Sequence, residues 1–188
     1  MASRNRPSLL SLIPNLINAL VPIGGVIFLA IGFSGLLVVG FGSVFGKDFI
    51  SGDGAGVVYT SERCADYFRF HPEAKDCYSA ATAHHYDEVV DIRGRIGAVG
   101  SMVLIAYYGL RRRFRWASDT RVIPRGFSST VAASLFGAAA FLLLGIFAMQ
   151  AGFGNTTGVG VLLAGGLVSV VAFLAYATQL SRDLLRCA

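Results

Sequence analysis

The sequence predicts an all-α integral membrane protein: a four-transmembrane-helix bundle with a small disulfide-stapled ectodomain between spans 1 and 2. Three observations predict it. Hydrophobic residues make up 54% of the 188 and charged residues only 14%, where an ordinary soluble domain has nearer a quarter charged. Apolar runs free of Asp, Glu, Lys, Arg and His recur four times. The charge of the connecting segments also changes sign across the first two runs, and the last two are joined by an uncharged loop. Met1–Pro7, Arg111–Arg125 and Ser181–Ala188 hold ten arginines against two aspartates, whereas Lys47–Arg95 holds nine acids against six bases. These are +8 and −3, the whole of the net +5. Arg-rich loops stay on the cytoplasmic side, and long acidic ones cross. Both termini are therefore expected in the cytoplasm, with the protein in the plasma membrane.

Residues 1–23 form the N-terminal segment. Within them Leu9, Ile13, Leu16, Ile17 and Leu20 recur at helical spacing, and Pro14 and Pro22 interrupt. An amphipathic helix in the inner interface is expected there, with a re-entrant or extended first span as the alternative. No small-residue cleavage site follows it, so removal as a signal peptide is not expected. The first span is Gly24–Gly46. The second, Ile96–Leu110, is short: 15 residues give about 22 Å against a core of about 30 Å. Arg93, Arg95 and Arg111 are expected to snorkel from its ends. Phe127–Met149 and Thr157–Leu180 are the third and fourth spans, with a short outer loop over 150–156 and an inner tail over 181–188.

Charge-free spans weigh against a pump or proton-coupled transporter, which needs intramembrane ionisable groups. Small-residue pairs at i,i+4 recur instead: Gly42/Gly46, Gly97/Ser101, Ala133/Gly137, Gly160/Ala164 and Gly165/Ser169. They serve close helix packing, first of all within the bundle. The basic inner loop, 111–126, carries Arg111, Arg112, Arg113 and Arg115, which set topology and face the anionic inner leaflet. Each contributes on the order of 1 kcal/mol of attraction there. Because the positive charge sits where orientation demands it, a pI near 9.4 does not indicate nucleic acid.

The insert, 47–95, carries Cys64 and Cys77, expected to pair in an oxidising compartment. CxxC spacing is absent, which argues against zinc or thiol exchange. A segment this small with one crosslink has no independent core, so its tyrosines and phenylalanines must pack on the bundle or on a partner. From Ser79 a helix runs into the second span. His84, Glu88 and Asp91, with Asp87 and Arg95, share one face, while His85 points elsewhere. Asp91–Arg95 and His84–Glu88 are i,i+4 pairs, so the leading reading is a solvated structural stripe. A metal site of His84, Glu88 and Asp91, with His71 or His85 added, is the alternative, and a pH sensor at His84 is a third. There is no Walker A, GxGxxG or GxSxG motif in a usable context, and no cofactor is expected.

The layout (short inner N-terminus, looped first ectodomain, basic inner loop, short second outer loop) resembles that of claudin-like four-span proteins in topology alone. The ectodomain tryptophan of that family is missing, since the only tryptophan is Trp116 in the basic loop. No residue role carries over. The expected function is therefore structural or accessory, as a subunit of a larger membrane complex or a homo-oligomer. A membrane metal-binding protein or enzyme is the alternative, and a passive channel or carrier for an uncharged solute ranks last.

Overall fold

A computed structural model describes residues 9–52, 61–114 and 127–185. Among them six helices follow in order: α1 Leu9–Phe45, α2 Lys47–Ser51, α3 Ser61–Phe70, α4 Cys77–Phe114, α5 Phe127–Gly152 and α6 Gly160–Leu185. No strand occurs among the described residues. Three helices are long and apolar enough to cross a membrane, over Leu16–Phe45, Phe127–Gly152 and Gly160–Asp183. This is one fewer than the sequence suggests. Ile96–Leu110 is not a helix of its own but part of the 38-residue α4. Asp91, Arg93 and Arg95 close its apolar stretch on one side and Arg111 on the other.

The N-terminal expectation also changes. Residues 9–21 do not form a separate interfacial helix, because α1 continues through both prolines. A proline inside a helix has no N–H and leaves the carbonyl four residues earlier without its donor. For Pro22 that carbonyl belongs to Asn18, and the Tyr107 hydroxyl of α4 donates to it at 3.0 Å. With the orphan carbonyl satisfied from a neighbouring helix, the chain has no reason to break there.

The long helices form two antiparallel hairpins. α1 packs on α4, α5 packs on α6, and the hairpins meet chiefly where α1 lies against α6. Glycines make the first seam. A Cβ on Gly32 would fall 2.5 Å from the Gly97 Cα, and one on Gly97 would fall 2.6 Å from the Gly32 Cα. The two backbones touch there. Gly25 sits against Leu104, Gly35 against Arg93 and Gly42 against Tyr86. On α4 the contacts at Tyr86, Arg93, Gly97, Gly100, Leu104 and Tyr107 alternate by three, four and seven, the repeat of a left-handed seam. In the second hairpin Gly166 receives Leu144 and Gly137 receives Phe173.

At one end, here termed the head end, α2 wedges between the hairpins. Ile50 is fully buried with Val38 and Ala164, and Phe49, Val89, Val90 and Val161 pack around them. The Gly158 N–H donates to the Asp48 carbonyl at 2.8 Å, which ties the α5–α6 turn to α2. Outward faces are apolar. Leu36, Ile105, Phe141 and Val171, one from each long helix, are at least two-thirds exposed. In water such surface would drive aggregation, whereas hydrocarbon accepts it.

Candidate functional site

Beyond the bundle, α3 folds back on the head-end part of α4. The turn between them is built locally. The His71 N–H donates to the Tyr67 carbonyl at 2.9 Å and the Ala74 N–H to the His71 carbonyl at 3.1 Å. Asp76 then caps α4, its Oδ1 accepting the Ser79 N–H at 2.7 Å while Ser79 Oγ accepts the Asp76 N–H at 3.2 Å. This reciprocal pair satisfies two orphan donors at the helix start. It holds the Asp76 carboxyl below its ordinary range, chiefly through the hydrogen bond from the Ser79 backbone. Cys64 and Cys77 stand side by side with Cα atoms 5.4 Å apart, a separation that suits a disulfide.

The histidines are arranged differently from the sequence reading. His84 does not pair with Glu88. Its ring stacks on Phe70 at 5.3 Å and tilts against Tyr67 at 5.5 Å. The carboxylates meet the other two imidazoles instead. His71 is buried, with Nε2 3.5 Å from Asp87 and Nδ1 3.6 Å from Glu73. His85 Nδ1 lies 3.9 Å from Glu88. Asp91 and Arg95 form the expected i,i+4 pair at 2.8 Å on the exposed side. Hence His84, Glu88 and Asp91 are not brought together, and among the described residues no three His, Cys, Asp or Glu side chains group as a metal site. Among the described residues, the carboxylate neighbour on which a pH sensor at His84 would rest is not within ion-pair distance of that imidazole.

Arg111 and Arg112 are exposed at the far end of α4. The side chain of Arg113, together with Arg115, Trp116 and Cys187, lies outside the described residues.

What sequence reasoning missed is Arg93. Instead of snorkelling toward the head end, it turns into the bundle. Its Cβ packs at the position of Gly35, and Nη1 donates to Ser34 Oγ on α1. Ser34 Oγ in turn donates to the Ile31 carbonyl at 2.7 Å. Ser34 lies eleven residues before the end of α1, about 16 Å along the axis. Arg93 faces a cavity of about 480 Å³ between the two hairpins, walled by all four long helices. Ser34 and Ser169 are the other polar groups in its lining, and Ile31, Phe136, Leu143 and Val161 are among the apolar ones. The clue in the sequence is modest: Arg93 stands seven residues from Tyr86 and four from Gly97, in register with the seam.

Compared with family models, with curated proteins and with solved structures, the chain matches none.

Proposed function

We propose that this is a non-enzymatic accessory or structural membrane protein that carries a small rigid head to a partner subunit or to copies of itself. The observation that carries the reading is the unbroken α4. Its 38 residues measure about 57 Å, far more than a hydrocarbon core of about 30 Å. One helix thus joins bundle and head without a hinge, and α3 is clamped on its projecting end. A strut of this kind suits fixed presentation of a surface rather than gating.

In this reading α4 is a fourth crossing. It lies along α1 from Asn18–Tyr107 to Gly42–Tyr86, so it shares whatever solvent α1 occupies. The arginine distribution then puts both termini in the cytoplasm, Arg111, Arg112, Arg113 and Arg115 at the anionic inner leaflet, and the Cys64–Cys77 bond on the oxidising side. The i,i+4 glycine and alanine pairs are largely engaged within the bundle, which leaves the head as the docking element. Phe70, 64% exposed at the end of α3, is its largest apolar group facing outward among the described residues.

A photo-crosslinker placed at Phe70 in native membranes tests this. Capture of a discrete membrane subunit or of a second copy, absent when the probe is moved to lipid-facing Phe141, is the expected result. A protein that is strictly monomeric in mild detergent and yields no discrete adduct would defeat the proposal.

A further inference from the structure

From the cavity between the hairpins we infer a binding site for an amphipathic anion, with a carboxylate or phosphate head on Arg93 and an alkyl chain along the apolar walls. The inference is independent of whether the head docks a partner. It requires only that the bundle sits in lipid.

The argument begins with charge. An arginine within a helix bundle costs several kcal/mol unless it is paired or reaches water. Among the described residues Arg93 makes no ion pair; the acids nearest in sequence, Asp91 and Glu88, are engaged by Arg95 and His85. A guanidinium carries five N–H donors, and the Ser34 bond uses one of them. The remaining fork is the group best suited to bind a carboxylate or a phosphate, often through two bonds at once.

Shape and polarity narrow the ligand. At about 480 Å³ the cavity lies within the roughly 300–1,000 Å³ typical of small-molecule sites. Apart from Arg93 and two serines its lining is apolar. The Ser169 hydroxyl already donates to the Gly165 carbonyl at 2.8 Å, as Ser34 does to Ile31. Neither hydroxyl proton is therefore free for a second anionic group. One charged head and one hydrocarbon tail match this lining; a sugar, a nucleotide or a dication does not. Because α4 packs on α1 rather than on α5 or α6, the long Arg93 side chain is what brings a cation to this seam.

The full-length protein in nanodiscs of neutral phosphatidylcholine would be titrated with three probes. They are cis-parinaric acid, the corresponding neutral parinaryl alcohol, and a short-chain phosphatidate as competitor. Saturable parinarate binding is expected, at least tenfold weaker for the alcohol. Arg93→Gln should weaken it at least tenfold and Arg93→Lys by only a few-fold. Ala139→Phe, which fills the cavity from α5 and leaves the cation in place, should abolish it. Thermal melts of each variant identify any that fail to fold, and the lysine variant keeps the test decisive if glutamine does not. Phosphatidate that displaces parinarate, and mass spectra of lipids retained from native membranes, separate a phospholipid source from a free fatty acid. Either result supports the site. Equal binding of acid and alcohol, no effect of Arg93→Gln, or no binding of either anion would overturn it.

Discussion

The hydroxyl of Tyr107 donates to the backbone carbonyl of Asn18 at 3.0 Å, which is the carbonyl that Pro22 leaves without a helical donor. One side chain on α4 thus repairs a break that α1 carries in its own sequence. Tyr107→Phe should therefore expose an unsatisfied carbonyl at a buried position and cost on the order of 1 kcal/mol. Pro22→Ala restores the missing N–H, so in that background the loss of the hydroxyl should cost much less. Reversible unfolding of the four proteins in mixed micelles measures the coupling. Additive costs would mean that the hydroxyl serves another purpose.

The α1–α4 seam makes a sharper claim about position. Gly97 touches backbone, whereas a Cβ on Gly94, three residues away on the same helix, meets nothing within 4 Å. Gly97→Ala must push two main chains apart and should destabilise the bundle by roughly 1–3 kcal/mol. Gly94→Ala should be neutral, or stabilise by up to about 1 kcal/mol through helix propensity. Parallel melting curves of the two variants decide it, and equal effects would contradict this packing.

These two sites also show what the sequence makes legible. Helical class, the three long apolar runs and the proximity of Cys64 and Cys77 all follow from hydropathy and loop length. The α1–α4 seam does not, because its glycines at 25, 32, 35 and 42 are spaced by seven, three and seven rather than by four. The continuity of α1 is legible only as the alternative of an extended first span, because the local signal of Pro14 and Pro22 is to stop a helix. Only a tertiary hydrogen bond reverses that signal at Pro22. The inward position of Arg93 is illegible for a related reason: a charge at the edge of an apolar run reads as a boundary. Its inward turn depends on Ser34, which is 59 residues away. The histidines failed as a stripe because Phe70 and Tyr67, brought over by the α3–α4 turn, compete for His84.

The α3–α4 clamp yields a prediction about covalent structure. Cys64 and Cys77 are separated by 13 residues, and closing a loop of that size stabilises a fold by roughly 3 kcal/mol on the chain-entropy account. Protein purified without reductant should show no free thiol at either position, and peptide mapping should recover one linked pair. Cys64→Ser/Cys77→Ser should lose amide protection in α3, while α5 and α6 keep theirs. Alkylation of both cysteines in intact membranes would place this segment in a reducing compartment and reverse the proposed orientation.

Acid should act on the same clamp through Asp76. Its carboxyl titrates below the ordinary value because, above all, the Ser79 backbone N–H bonds the charged form. A depressed folded-state pKa means that the folded state binds its proton less readily than the unfolded state. The cap's contribution is therefore complete above the ordinary carboxylate value and is lost as pH falls through the lower folded value. Amide protection in the first turn of α4, corrected for intrinsic exchange, should fall over that acidic window. In Asp76→Asn the amide oxygen can still accept from Ser79 but carries no titrating charge, so the pH dependence should vanish while part of the cap remains. An unchanged acid profile in the asparagine variant would contradict the assignment of this sensitivity to Asp76.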